Sequence, residues 1–265
     1  MYETAYARPR TLEEAVELLQ SDEDAKCLAG GMTYVPTLKQ RLAMPSLLVD
    51  LSRLLSRDIA VADGFLTIGA GARHVDVQRS QIVRETLPAL AELAGLIGDP
   101  MVRNRGTIGG SLSNNDPAAD YPSAALALDA QITTTKQQYA AADFLSGMFE
   151  TLLDDDEIVT HVRFKIPVCA AYSKFASKAS GYAVAGAFVA RFDDDVRVAI
   201  TGAGPCVFRA DQLEEALKGD FNVWALKGKT IEPEGLLSDM HADAEYRAAL
   251  AVEMTKRAVH QITGA

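Results

Sequence analysis

The sequence predicts an α+β protein, on three observations. A strand–turn–helix–strand order within residues 26–50 marks a small α/β unit. Residues 158–166 alternate apolar and polar side chains, as an antiparallel strand with one wet face does. From about residue 242, Tyr246, Leu250, Met254 and Ala258 share one face of a long helix. Composition changes after Pro167, which places a domain boundary at 167–172.

The elements follow in order. Thr11-Leu-Glu-Glu14 is a capping box, and behind it Leu12, Ala15, Val16 and Leu19 recur at helical spacing to about Ser21. Residues 26–29 read as a short buried strand that ends in the Gly30-Gly31 turn. Residues 33–42 are helical, with Pro36 tolerable in the first turn, and 47–50 is another strand. Two short strands between 59 and 70 meet at Asp63-Gly64, a hairpin dipeptide. Helical patterns fill 73–98 through Leu87, Leu90, Leu93 and Ala94. The run 98–122, crowded with glycine, hydroxyl and amide residues, reads as a loop outside the core, followed by a small apolar helix at 124–128. Strand-like runs lie at 130–135 and 157–166, then 184–192 is a strand or buried helix and 196–200 a strand. The remainder is expected to be helical.

Bulk properties exclude several classes. Of 265 residues, 48% are hydrophobic and 23% charged, the profile of a soluble globular chain. A net charge of −10 argues against nucleic acid or an anionic membrane as partner. No apolar stretch is long enough for a bilayer, and no cationic start precedes an apolar run, so neither membrane insertion nor secretion is expected and the cytoplasm is the expected compartment. Three scattered cysteines, Cys27, Cys169 and Cys206, and four dispersed histidines give no metal site. The cysteines are expected to be buried thiols, and His74 and His161 surface residues.

Function is concentrated in the 98–122 run. Gly106, Gly109 and Gly110 let backbone approach a ligand, and successive N–H groups in such a turn form an anion cradle. Ser111, Ser113, Asn114 and Asn115 add donors for phosphate and sugar oxygens. The second glycine pair, in Leu28-Ala-Gly-Gly-Met-Thr33, is its natural partner. Neither is a dinucleotide fingerprint: Gly69-Ala-Gly71 meets His74 where glycine or alanine is needed, Gly202-Ala-Gly204 runs into Pro205, and no P-loop occurs. Asp120 is either a helix cap or an acceptor for ligand hydroxyls. Met32 suits packing, and Arg103 and Arg105 suit ion pairs within the loop. No nucleophile–base pair is evident, so no catalytic residue is assigned.

Ala29-Gly-Gly-Met-Thr33 and Thr107-Ile-Gly-Gly110 resemble the two flavin diphosphate-binding motifs of the FAD-binding medium subunits of molybdenum hydroxylases, the group of the carbon monoxide dehydrogenase flavoprotein and the flavin part of xanthine dehydrogenase. The likeness extends through Val102-Arg-Asn-Arg-Gly106, Asp116-Pro-Ala-Ala-Asp120, Asp156-Glu-Ile-Val159 and Ser238-Asp-Met-His-Ala-Asp-Ala-Glu-Tyr-Arg247, in collinear order over nearly the whole chain. It implies a two-subdomain FAD-binding fold of the vanillyl-alcohol-oxidase (PCMH) type over residues 1–168, divided near 55, and a C-terminal domain of antiparallel sheet and helices over 169–265.

By position the resemblance implies that Leu28, Ala29, Gly30, Gly31, Met32, Thr33, Tyr34 and Val35, with Thr107, Ile108, Gly109, Gly110 and Ser111, embrace the diphosphate. Asp120 would accept from ribityl hydroxyls, and Ile97 and Ile158 would lie near the FAD. A lysine that some relatives carry shortly after Phe175 is Ala176 here, which leaves Lys178 and Tyr182 as candidates to approach the isoalloxazine. The implied role is electron transfer. A large partner subunit would hold molybdopterin, a small one [2Fe–2S] clusters, and FAD in this chain would pass electrons to an external acceptor, within a dimer of heterotrimers. A self-contained FAD-dependent reductase or oxidase is the alternative, and a redox-silent nucleotide-binding scaffold a third reading.

Overall fold

The computed structural model describes residues 1–264, so residue 265, the last of the expected C-terminal domain, lies outside the described residues. Three sheets succeed one another along the chain. Strands β1 (Ala5–Ala7), β2 (Lys26–Leu28) and β3 (Leu47–Asp50) form a parallel sheet in the order β1-β3-β2. The helix Leu12–Gln20 buries Ala15 and Leu19 in the small core that includes Val49. Its Thr11 cap accepts the Glu14 amide at 3.2 Å, while the Glu14 carboxylate takes the Arg10 amide at 2.7 Å.

The second sheet is antiparallel, in the order β4-β5-β8-β6-β7, from β4 (Ile59–Ala62), β5 (Phe65–Gly69), β6 (Gln131–Thr134), β7 (Gln138–Ala140) and β8 (Val159–Lys165). Asp63 and Gly64 both take left-handed conformations, φ 51° and 78°, as a two-residue hairpin of this hand requires. Between β5 and β6 the chain makes six short helices. Leu90 and Leu93 of Pro88–Gly95, Ile108 and Leu112 of Ile108–Asn114, and Ala124 of Tyr121–Ala127 join Leu66, Ile68 and Phe164 in the main core.

The third sheet runs β12-β11-β10-β9, all antiparallel, from β9 (Cys169–Ala176), β10 (Ala183–Arg191), β11 (Val196–Thr201) and β12 (Phe208–Arg209). The helix Ala244–Thr263 covers β9 and β10. Residues 183–190 of β10 are all buried. A strand covered on both faces reads as a continuous apolar run, which is why the sequence alone left strand and helix open there.

Three expectations are corrected. The 98–122 run is not a loop outside the core: it holds the helices Pro100–Arg103 and Ile108–Asn114, because Gly109 and Gly110 take helical conformations and Leu112 is wholly buried. Residues 227–243 are not helical; Gly228 and Gly235 adopt positive φ (73° and 82°) on either side of Pro233. Strands β1, β7 and β9 carry no strand pattern in the sequence, and β12 is a strand where helix is expected. No helix of the described residues is long and apolar enough to cross a membrane, and no group of three or more His, Cys, Asp or Glu among them is placed to hold a metal.

The 116–120 segment joins the second and third sheets. Pro117 O accepts the Gly202 amide at 2.8 Å, and the Thr201 hydroxyl reaches Pro117 O at 3.1 Å and Ala119 O at 2.6 Å. Asp120 is thereby fixed where all three parts of the chain meet.

Candidate functional site

A cavity of about 450 Å3 opens there, walled by the two glycine motifs, the β8 entry at Glu157–Val159 and the 180–182 turn between β9 and β10. Its volume lies within the range of small-molecule and cofactor sites.

The first motif leaves β2 and turns into the helix Tyr34–Lys39. Gly31 sits at φ 70°, a left-handed position that glycine takes without strain. Among the described residues the amides of Gly30, Gly31, Met32 and Thr33 donate to no protein acceptor, although these residues line the cavity. Four successive unengaged N–H groups around one left-handed glycine make an anion-binding concavity.

The second motif differs from the expected cradle. Ile108 N donates to Ala72 O and Gly109 N to Ala70 O, each at 3.0 Å, and Gly110 N to the Thr107 hydroxyl at 3.1 Å. Its backbone donors are engaged within the fold. Gly109 is needed for packing, since a Cβ there would stand 2.6 Å from the Ala70 Cβ. What this wall offers the cavity is the side chains of Ser111, Ser113 and Asn114.

Asp120 is buried at 4% exposure, and its side chain does not cap the helix it precedes. Instead Oδ1 accepts the Tyr172 hydroxyl at 2.5 Å and lies 2.8 Å from Lys174 Nζ. Burial pushes the Asp120 carboxyl above its ordinary range, against the pull of Lys174 and Tyr172. Lys174 also donates to Leu96 O and Gly181 O, both at 2.8 Å, which closes its three donor sites. Neither Tyr172 nor Lys174 was singled out in the sequence. The signal was their spacing of two on one strand, legible only once β9 is known to be a strand.

His74 is not a surface residue. It begins the helix His74–Arg79, is 5% exposed, lines the cavity, and its Nδ1 has no partner. Burial, with a smaller contribution from Arg103, pushes its pKa down to about 4. Gly106 lies directly against the ring, because a Cβ there would meet Nε2 at 2.5 Å. Arg103 forms no ion pair among the described residues; it donates to Ile97 O and Gly98 O at 2.9 and 3.0 Å and so fixes the turn that carries both. Cys27 is exposed and lines the cavity, with its thiol pushed up to about 11 by the apolar wall, while Cys169 and Cys206 are only partly buried.

The cavity brings together Leu28, Ala29, Gly30, Gly31, Met32, Thr33, Tyr34, Ile97, Thr107, Gly109, Gly110, Ser111, Asp120, Ile158 and Tyr182. Tyr182 is 42% exposed at the mouth, where its hydroxyl meets Thr33. Four residues of the sequence reading do not reach it. Ile108 is wholly buried in the core, and Val35 lies behind Gly31, with Cγ2 3.0 Å from where a Cβ at position 31 would be. Asn115 faces away: at φ 39° it ends the helix Ile108–Asn114 and donates to Gly147 O and Glu150 O at 2.9 and 2.8 Å. Lys178 is exposed on the β9–β10 turn, outside the cavity wall.

Two family models match the chain. One, described as the FAD binding domain in molybdopterin dehydrogenase, covers residues 2–168; the other, the CO dehydrogenase flavoprotein C-terminal domain, covers 170–262. The chain is 34% identical to the carbon monoxide dehydrogenase medium chain of Hydrogenophaga pseudoflava, over 96% of this chain and 95% of that protein. It is 33% identical to the nicotine 6-hydroxylase medium subunit of Paenarthrobacter nicotinovorans, with the same coverage of 96% and 95%. Among solved structures, that of carbon monoxide dehydrogenase from Hydrogenophaga pseudoflava superposes with a TM-score of 0.87 at 33% identity, over 97% of this chain and 96% of that one. Quinoline 2-oxidoreductase from Pseudomonas putida 86 gives 0.87 at 27% identity, over 98% and 96%.

Proposed function

This chain belongs to the family of FAD-binding subunits of molybdopterin dehydrogenases, and from that premise we propose that it is the electron-transfer medium subunit of a molybdenum hydroxylase complex. It is an oxidoreductase component whose cofactor is FAD. The observation that carries the finer reading is the pairing, across one cavity, of four unengaged amides at 30–33 with the buried carboxylate of Asp120.

That donor and acceptor set fits FAD. The amides of Gly30, Gly31, Met32 and Thr33 would hold the diphosphate, and Ser111 would add a hydroxyl from the facing wall. Asp120 would take ribityl hydroxyls. Ile97, Ile158 and Tyr182 would supply apolar wall for the rings, with Val35 and Ile108 supporting from behind. Bound there, FAD supplies the redox chemistry that links [2Fe–2S] clusters of a small partner subunit to an external acceptor. The chain's own work is to bind, orient and shield the cofactor.

Relatives named as medium chains or as subunits of a complex support a larger and a smaller partner, and we place molybdopterin on the larger. We assign the assembly as a dimer of heterotrimers in the cytoplasm. Purification of the native complex tests the reading: molybdenum and iron at fixed ratio to FAD, with visible absorption bleached by dithionite, is the expected result. Full substrate turnover by this polypeptide with FAD alone would instead establish a self-contained reductase or oxidase.

A further inference from the structure

The protein contacts of the Asp120 carboxylate are one-sided. Tyr172 OH and Lys174 Nζ both fall on Oδ1, at 2.5 and 2.8 Å, and no bond from the described residues reaches Oδ2. Tyr172 and Lys174 are two apart on β9 and so project from the same face. The Tyr172 ring is 2% exposed and stacks on Phe188 of β10, with centroids 6.1 Å apart. Its hydroxyl has room only because Gly186, the β10 residue paired with Lys174, is glycine: a Cβ there would stand 2.7 Å from that oxygen.

Two donors of the Lys174 ammonium are held by carbonyls, so it meets the carboxylate as a point charge with one donor and does not set its rotation. A phenol held by ring packing donates in one direction only. The Tyr172 hydroxyl therefore fixes the carboxylate's rotation, which Lys174 alone would not. Without it, the one Lys174 donor left over from Leu96 O and Gly181 O would hold the carboxylate at a single point and let it swing, carrying Oδ2 out of the cavity.

We propose that Tyr172, seated by Gly186, is a positioning residue that clamps Asp120 Oδ1 and so reserves Oδ2 as an acceptor for a hydroxyl-bearing chain of the bound cofactor. This rests on the FAD reading above, and it makes the C-terminal sheet part of cofactor selection.

The test uses the full chain, stripped and reloaded with FAD, with affinity read from flavin fluorescence. Tyr172→Phe keeps the ring and its stacking and removes only the hydroxyl; Kd is expected to rise about tenfold, the loss of one charge-assisted hydrogen bond. Gly186→Ala, which pushes the hydroxyl aside, should give the same rise. In an Asp120→Asn background Tyr172→Phe should add nothing. The groups facing Asp120 are Tyr172 and Lys174 of β9, Tyr121 of the helix that follows it and Tyr182 of the 180–182 turn. Because the lost bond favours the ionised carboxyl, acid weakening of FAD binding should begin at higher pH in Tyr172→Phe. Wild-type binding with an unchanged Kd in Tyr172→Phe, or an undiminished effect in the Asp120→Asn background, would overturn the clamp and leave the FAD reading standing. Failure of the wild-type chain to bind FAD would overturn both.

Discussion

Gly30 lies directly on the backbone of Arg105, so the two glycine motifs interlock with no side chain between them. A Cβ at position 30 would overlap the Arg105 carbonyl oxygen and stand 2.8 Å from the Gly106 Cα. Both obstacles are main chain and cannot rotate away. Gly30→Ala should therefore part the motifs, lower stability by about 1–3 kcal/mol as overpacking does, and yield protein poor in flavin. Thermal melts and flavin absorbance check it. Gly219→Ala is the control, since a Cβ there meets nothing within 4 Å. Normal flavin content in Gly30→Ala would separate the contact from cofactor binding.

Removing Lys174 should do more damage than removing a surface cation. Lys174→Met leaves the Asp120 carboxylate buried without its positive partner, a loss of about 3–5 kcal/mol. Burial already holds the Asp120 carboxyl above its ordinary range, and the substitution raises it further. With a raised folded pKa the native state binds the proton more readily than the unfolded chain. The penalty is therefore small near the ordinary carboxyl range and grows as pH rises through the raised value. Urea unfolding at pH 5 and pH 8 should give the larger deficit at pH 8; an equal deficit would contradict the assignment.

How legible the site was depended on the range of the interactions that build it. The geometry of the first motif is legible because it is local: Gly31 supplies a left-handed turn and the neighbouring amides are left free by the backbone itself. The second could be located but not interpreted. Its N–H groups looked available, yet Ala70 and Ala72, more than thirty positions earlier, engage two of them. Glycine there means close packing against Ala70, a tertiary fact with no local signal. The Tyr172–Lys174 pair was missed for the same reason, because β9 shows no clean alternation and its partner Asp120 lies on another sheet's connection. Hairpin, capping and terminal-helix features came through since each is written in a few adjacent residues.

Asn115 separates a ligand role from a structural one. Its side-chain amide closes the Gly147 and Glu150 carbonyls, and its own backbone is left-handed at φ 39°. Asn115→Ala takes one donor from each of those carbonyls, which keep only each other's amides at 3.2 and 3.3 Å, and puts alanine in a conformation it resists, for about 1–3 kcal/mol of stability. Asn115→Gly keeps the loss of bonds but removes the strain, so it should fall between the two. In folded protein both variants should bind FAD with wild-type affinity, measurable by equilibrium dialysis. A large rise in Kd would restore Asn115 to the cofactor.

His74 should dominate one limb of the pH–stability curve. Its pKa is pushed down to about 4 in the fold, against an ordinary value of 6.5. A depressed folded pKa means that the unfolded chain takes the proton first, so stability is complete above pH 6.5 and is lost as pH falls from there toward 4. The size is on the order of 3 kcal/mol from the linkage relation. His74→Leu removes the titration without breaking a hydrogen bond at Nδ1, which has no partner. The variant should match the wild type at pH 7 to within about 1 kcal/mol and lose much less stability between pH 6.5 and 4, because an apolar side chain neither charges nor wants a partner there. His161, also shifted down by burial, remains in both proteins and leaves a residual slope. Guanidinium titrations at half-unit pH steps decide it: an acid limb of equal steepness in His74→Leu would assign the destabilisation to other groups.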